Sequence, residues 1–335
     1  MKLFIIPGCI ILLLSCHHSG LPDVSNIQVN LKVQRFEKDF FSIDTNKILQ
    51  EIERLRPAYP SFINIFMNQI LGFTNRSSPD SVKKYVQLFI RDYRFVKDSS
   101  DLKFGAFNEP VREIKQAFQF VKYYFPEYTL PPKIITFIGP FDGYSDALTN
   151  DAISVGLQLH LGKNFSFYQS DFGRELFPDY IAQRFEPENI AVNAIKNIID
   201  DLFPEKSTGK PLIEQMIEKG KRLYLMDRFL PTTPAHFKIN YSEKQLTDCY
   251  EKEAIIWNFF LTNNLLNLTE QNVIKNYIGD SPKTQELGEG APGGIGAFSG
   301  WQIVNKYMSK YPSIKLKQLM EMDNREIYTL SKYKP

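Results

Sequence analysis

Few residues in this chain of 335 combine a reactive type with a spacing that chemistry could use. Four histidines limit metal and acid–base work from the start. His17 and His18 adjoin near the N-terminus, which leaves His160 and His236. Neither belongs to an H-E-x-x-H pair, where one helical turn sets two imidazoles on one face with a glutamate beside the metal-bound water. Capping, packing or surface roles are expected for both, and no metal ligand or catalytic residue is nominated. Asp142, Asp146 and Asp151 are close enough in sequence to suggest a hard-cation site, but their spacing fits no EF-hand, and turns and caps account for them. Asp200 and Asp201 are neighbours, which a helix points in different directions, so they are no catalytic dyad. Gly288-Glu289-Gly290-Ala291-Pro292-Gly293 matches G-x-G-x-x-G, yet polar residues precede it where a dinucleotide fold needs a strand. It reads as a loop leading to the helix that carries Trp301. The nucleotide-hydrolase and serine-hydrolase signatures are also missing, and no cofactor is expected.

Composition narrows the classes further. Lys and Arg number 40 against 38 Asp and Glu, so no electrostatic footprint points to nucleic acid. Three cysteines cannot build a disulfide scaffold. Cys249, with no pairing partner in its neighbourhood, reads as a buried bystander. Cys16 is different. Lys2 and an apolar run from Leu3 to Leu14 form a secretion signal over 1–15, too short to cross a bilayer core of ~30 Å. That run ends Leu13-Leu14-Ser15-Cys16, which resembles a bacterial lipoprotein box, and makes Cys16 the expected lipidation site. Residues 16–27 are polar and broken by Gly20 and Pro22, and read as a tether to a domain over 28–335.

Within that domain, Val29, Leu31 and Val33 alternate as a half-buried strand does. Helices are expected to carry Ile48, Ile52 and Leu55, then Phe62 to Ile70, then the stripes Val82 to Tyr93 and Val111 to Phe125. Ile134 to Ile138 and Ala152 to Leu161 are extended, with a turn-rich connection between them. Helical patterns return over Ile190 to Leu202, Pro211 to Met226, Ser242 to Leu266 and Trp301 to Tyr311. The pattern predicts a mostly helical single α+β domain with a small inserted sheet.

Several segments, in order, carry a resemblance: Val33-Gln-Arg-Phe-Glu-Lys-Asp-Phe-Phe41, Leu159-His-Leu-Gly162, Tyr180-Ile-Ala-Gln-Arg-Phe-Glu-Pro-Glu188, Gly220-Lys-Arg-Leu-Tyr224, Tyr241 to Trp257, and Pro292-Gly-Gly-Ile-Gly296 leading to Gly300-Trp-Gln-Ile-Val304. Over nearly the whole mature length the chain resembles the gliding motility lipoprotein GldB family of Bacteroidota. The resemblance implies a non-catalytic, lipid-anchored envelope protein facing the periplasm. Its expected partners are the membrane, through Cys16, and other gliding or secretion lipoproteins of the type IX apparatus. It also implies a zincin-like, metallopeptidase-like layout lacking H-E-x-x-H, in which the helix Ile190 to Leu202 carries Ile190, Ala194, Ile195 and Ile198 where ligands would stand. Glu218, ahead of Gly220, would then match a third ligand with nothing to complete. Arg184, Glu186, Glu188, Glu218 and Trp301 are the candidates for a retained docking groove. An envelope hydrolase acting on peptide or glycan through Glu186, Glu188 or Glu218 is the alternative.

Overall fold

The computed structural model describes residues 21–335 except 144 and 150. The signal segment 1–15, the lipidation candidate Cys16 and the pair His17 and His18 lie outside the described residues.

Four strands, β1 (Lys32–Arg35), β2 (Lys133–Phe137), β3 (Ala147–Leu148) and β4 (Ile153–Gly156), form one mixed sheet in the order β1-β2-β4-β3. The first three in that order run parallel, with Val33 opposite Ile134 and Ile134 opposite Ile153; β3 runs antiparallel along the edge of β4. Parallel strands need long crossovers that cover both faces. The segment between β1 and β2 supplies one as helices, and all of β4 and four of the five residues of β2 are buried. The chain is a mostly helical single domain of the α+β kind, as the pattern predicts.

Four helices frame the polar sites of the domain: α1 (Asn108–Tyr124), α2 (Asn189–Leu202), α3 (Leu212–Phe229) and α4 (Ile295–Lys310). In α2 the residues Ile190, Ala194, Ile195 and Ile198 recur every three to four positions and are wholly buried, so this helix packs as core. At one end it meets α1 and α3 through Phe203, Phe125 and Phe229, with Phe125 5.5 and 5.9 Å from the other two rings. Helix α3 is buried nearly all round and lies between its neighbours. It crosses α4 so closely that a Cβ on Gly220 would stand 2.2 Å from the Gly300 carbonyl oxygen.

Boundaries differ from the sequence pattern where tertiary contacts outvote local propensity. The strand expected from Val29 begins at Lys32, where pairing with β2 starts. The extended segment from Ala152 stops at Gly156 and turns into a short 3-10 helix, Leu157–Leu159. The long helix expected over Ser242 to Leu266 is three pieces, Glu243–Glu251, Glu253–Thr262 and the 3-10 turn Leu265–Asn267, and Ser242 caps the first in a reciprocal capping box. Helix α4 begins six residues before Trp301, because Gly294 takes a left-handed turn (φ +66°) that starts it at Ile295. Cys249 is buried, and burial pushes its thiol up to about 12, so it stays a protonated, inert side chain.

Lys221 is the unusual member of α3. Its ammonium is almost wholly buried and donates to the carbonyls of Met320 (3.3 Å) and Met322 (2.6 Å), pinning the turn between the helices Leu316–Glu321 and Asn324–Ser331. Burial lowers its pKa to about 8 from an ordinary 10.5. Below pH 8 both folded and unfolded chains hold the proton, and the native state bears the cost of the buried charge. Between the two values the unfolded chain holds a proton that the native chain has released, so this group favours folding increasingly as pH rises. The stability of the wild type relative to Lys221→Met is therefore expected to rise by about 2 kcal/mol from pH 8 to pH 10. Urea unfolding of both proteins across that range measures it, and a flat difference would show that the amine is not desolvated.

Candidate docking groove

The five groove candidates do not lie together. Arg184, Glu186 and Glu188 border one open cavity of about 400 Å³, joined there by Lys163, His236 and Tyr241. Glu218 sits elsewhere on α3, held by Arg222 (3.2 Å), which also reaches Asp200 near the far end of α2. Trp301 is buried in α4 and donates its indole N–H to Asp227 (3.0 Å), whose other oxygen takes Lys238 (2.8 Å). Packing and ion pairing account for these two.

The trio is delivered by the turn that enters α2. Glu186 accepts a long hydrogen bond from the Lys163 amide (3.4 Å), and its own carbonyl faces His160 Nδ1 at the same distance. Gly162, in the left-handed region at φ +94°, lets the chain after β4 approach Glu186. Arg184 donates to Asp280 (2.9 Å), and this guanidinium hydrogen bond lowers the Asp280 carboxyl below its ordinary range. Tyr241, buried at the cavity wall, has its phenol pushed well above 10 by that burial, so it is a neutral hydroxyl. The lining is thus polar, mixed in sign and rich in hydrogen-bonding groups.

Behind the groove lies a buried polar link that sequence reasoning did not assemble. His160 Nε2 meets Asp146 Oδ2 at 2.9 Å. Asp146 also accepts from Asn193 of α2 (2.8 Å) and from the Gly156 amide (3.0 Å). Both side chains of the His–Asp pair are within 3% of complete burial. With acceptors at each ring nitrogen, His160 has none left to activate a hydroxyl, so the pair ties the 145–149 segment to α2 and β4 rather than serving a nucleophile. His160 and Asp146 were each visible in the sequence, but fourteen positions apart and with no motif joining them. The three aspartates expected at most as a turn separate: Asp151 pairs with Lys133 (3.0 Å), and Asp142 is exposed. Among the described residues no group of three or more His, Cys, Asp or Glu side chains is placed to hold a metal ion. Glu218 pairs with Arg222, and nothing in the arrangement supports the zincin-like layout.

Comparison with known proteins gives one finding of weight. The family model described as gliding motility protein GldB matches residues 17–335. No curated protein and no solved structure matches.

Proposed function

This chain belongs to the gliding motility GldB family, and on that premise we propose that it is a lipid-anchored envelope protein that acts in gliding motility by contact. Membership over residues 17–335 is the observation that carries the reading. The chain is held by acyl chains on Cys16, each buried methylene contributing about 0.8 kcal/mol, and faces the periplasm. No described helix is long and apolar enough to cross a membrane. The work is docking: the groove at Arg184, Glu186 and Glu188 engages another lipoprotein or envelope protein of the gliding and secretion machinery. What supports a non-catalytic role is the use of the polar groups. Glu218 is committed to Arg222, His160 to Asp146, and the inner face of α2 to the core.

Cys16→Ala tests the anchor. The substituted chain is expected in the soluble fraction, with motility of a gliding host lost. Full motility with the soluble form would show that the reading is wrong about how the protein works.

A further inference from the structure

We propose that the domain carries, beside its tether, a pocket for the headgroup of an anionic phospholipid. The pocket is an open cavity of about 810 Å³ between the C-terminal ends of α1 and α4 and the turn after α4. Its twelve lining residues include three cations, Arg228, Lys315 and Lys317, and no carboxylate. Arg228 lies over the Tyr224 ring, 4.5 Å from its centroid, and donates to its hydroxyl (2.6 Å), which fixes the guanidinium at the wall. Lys315 and Lys317 are exposed at the rim, and Met308 and Leu316 form a buried apolar floor.

That combination matches one ligand chemistry closely. Cations without carboxylates attract a phosphodiester, tyrosine hydroxyls hydrogen-bond its oxygens, and an apolar floor takes the first carbons of the glycerol and acyl chains. A zwitterionic headgroup would bring its own cation against three others. The source of the ligand is indicated by the course of the chain. The Ile27 carbonyl accepts from Gln119 of α1 (2.9 Å), and Val24 is buried, so residues 24–27 are held to the domain beside α1. Tyr123, 49% exposed at the pocket mouth, is one helical turn beyond Gln119 on the same face. From Cys16 to Val24 is eight residues, a reach of at most about 28 Å. The placement of the bilayer rests on the proposed anchor at Cys16. Given it, the pocket faces the membrane.

The test uses the full lipidated chain in vesicles of phosphatidylcholine, with and without phosphatidylglycerol. Hydrogen exchange is read at residues 120–126 and 309–317. Exchange there is expected to be roughly threefold slower in the anionic vesicles, and the slowing is expected to vanish at about 0.5 M salt, where screening acts within a few ångströms. Lys315→Ala with Lys317→Ala is expected to abolish the effect. The charge-matched Lys84→Ala with Lys334→Ala, on exposed sites elsewhere, keeps it. Equal exchange in both vesicles, or protection that the pocket variant retains, overturns the proposal. Loss of the chain from both vesicle types would instead refute the anchor. In that case dihexanoyl phosphatidylglycerol is titrated against inorganic phosphate: slowing by the phospholipid alone supports the pocket, and slowing by both equally, or by neither, overturns the headgroup assignment.

Discussion

Gly300→Val is expected to leave no cooperatively folded chain. A Cβ at this position would lie 1.7 Å from the Met216 carbonyl oxygen and 2.3 Å from its carbon, both backbone atoms of α3. No rotamer change can relieve such a contact. The helices would have to separate, and both bury apolar residues along their crossing, among them Ile217, Leu225, Ile303 and Val304. Glycine inside a helix costs about 1 kcal/mol relative to alanine, so Gly220, Gly296 and Gly300 are unfavourable choices unless close approach requires them. Here it does: a Cβ on Gly296 would also meet the Tyr277 carbonyl at 2.9 Å. The expected loss exceeds ~4 kcal/mol, a large share of the roughly 5–15 kcal/mol that holds an ordinary domain together. Gly290→Ala is the control, since nothing lies within 4 Å of the added carbon. Urea unfolding followed by circular dichroism decides it, and a Gly300→Val midpoint near wild type would mean that α3 and α4 do not cross this tightly.

Glu37→Ala is expected to cost about 3–5 kcal/mol, because it strands a cation inside the protein. Glu37 is 0% exposed and accepts from Arg35 Nε (2.6 Å) and Thr136 Oγ1 (2.6 Å), joining the end of β1 to β2. Arg35 also donates to the Gly105 carbonyl (2.8 Å) and lies 5.4 Å from the Phe107 ring centroid, so its side chain cannot swing out to water without losing both. Replacing the pair together, Arg35→Met with Glu37→Leu, is expected to recover most of the loss, since neither charge is then desolvated. A single substitution as mild as removal of a surface carboxylate, within about 0.5 kcal/mol, would contradict the burial of the pair.

Both sites fall within the segments that carry the family resemblance. Arg35 and Glu37 lie in Val33 to Phe41, while Gly220, Gly296 and Gly300 open or close the glycine segments. They are conditions for the fold, not chemical groups of a site. The literal G-x-G-x-x-G is of the same kind. A Cβ on Gly293 would stand 1.9 Å from the Ser281 carbonyl oxygen, so that glycine lets two loops touch.

Periodicity alone was enough to find α1, α2 and the strands β2 and β4, because their apolar residues recur at 3.6 or are β-branched in a run, and those signals are local. It missed the edge strand Ala147–Leu148, two residues long, which exists only because β4 offers it a partner. It ran one helix through Lys252, which instead separates Glu243–Glu251 from Glu253–Thr262. The groove was half legible: Arg184, Glu186 and Glu188 stand within five positions and share a turn, whereas their cavity partners Lys163, His236 and Tyr241 arrive from elsewhere in the chain. Which carboxylates are already committed, Glu218 to Arg222 and Asp146 to His160, was decided only by tertiary structure. Periodicity is a property of neighbours along the chain. The partner of a charge is set by which helices meet, and that depends on contacts between residues far apart in sequence.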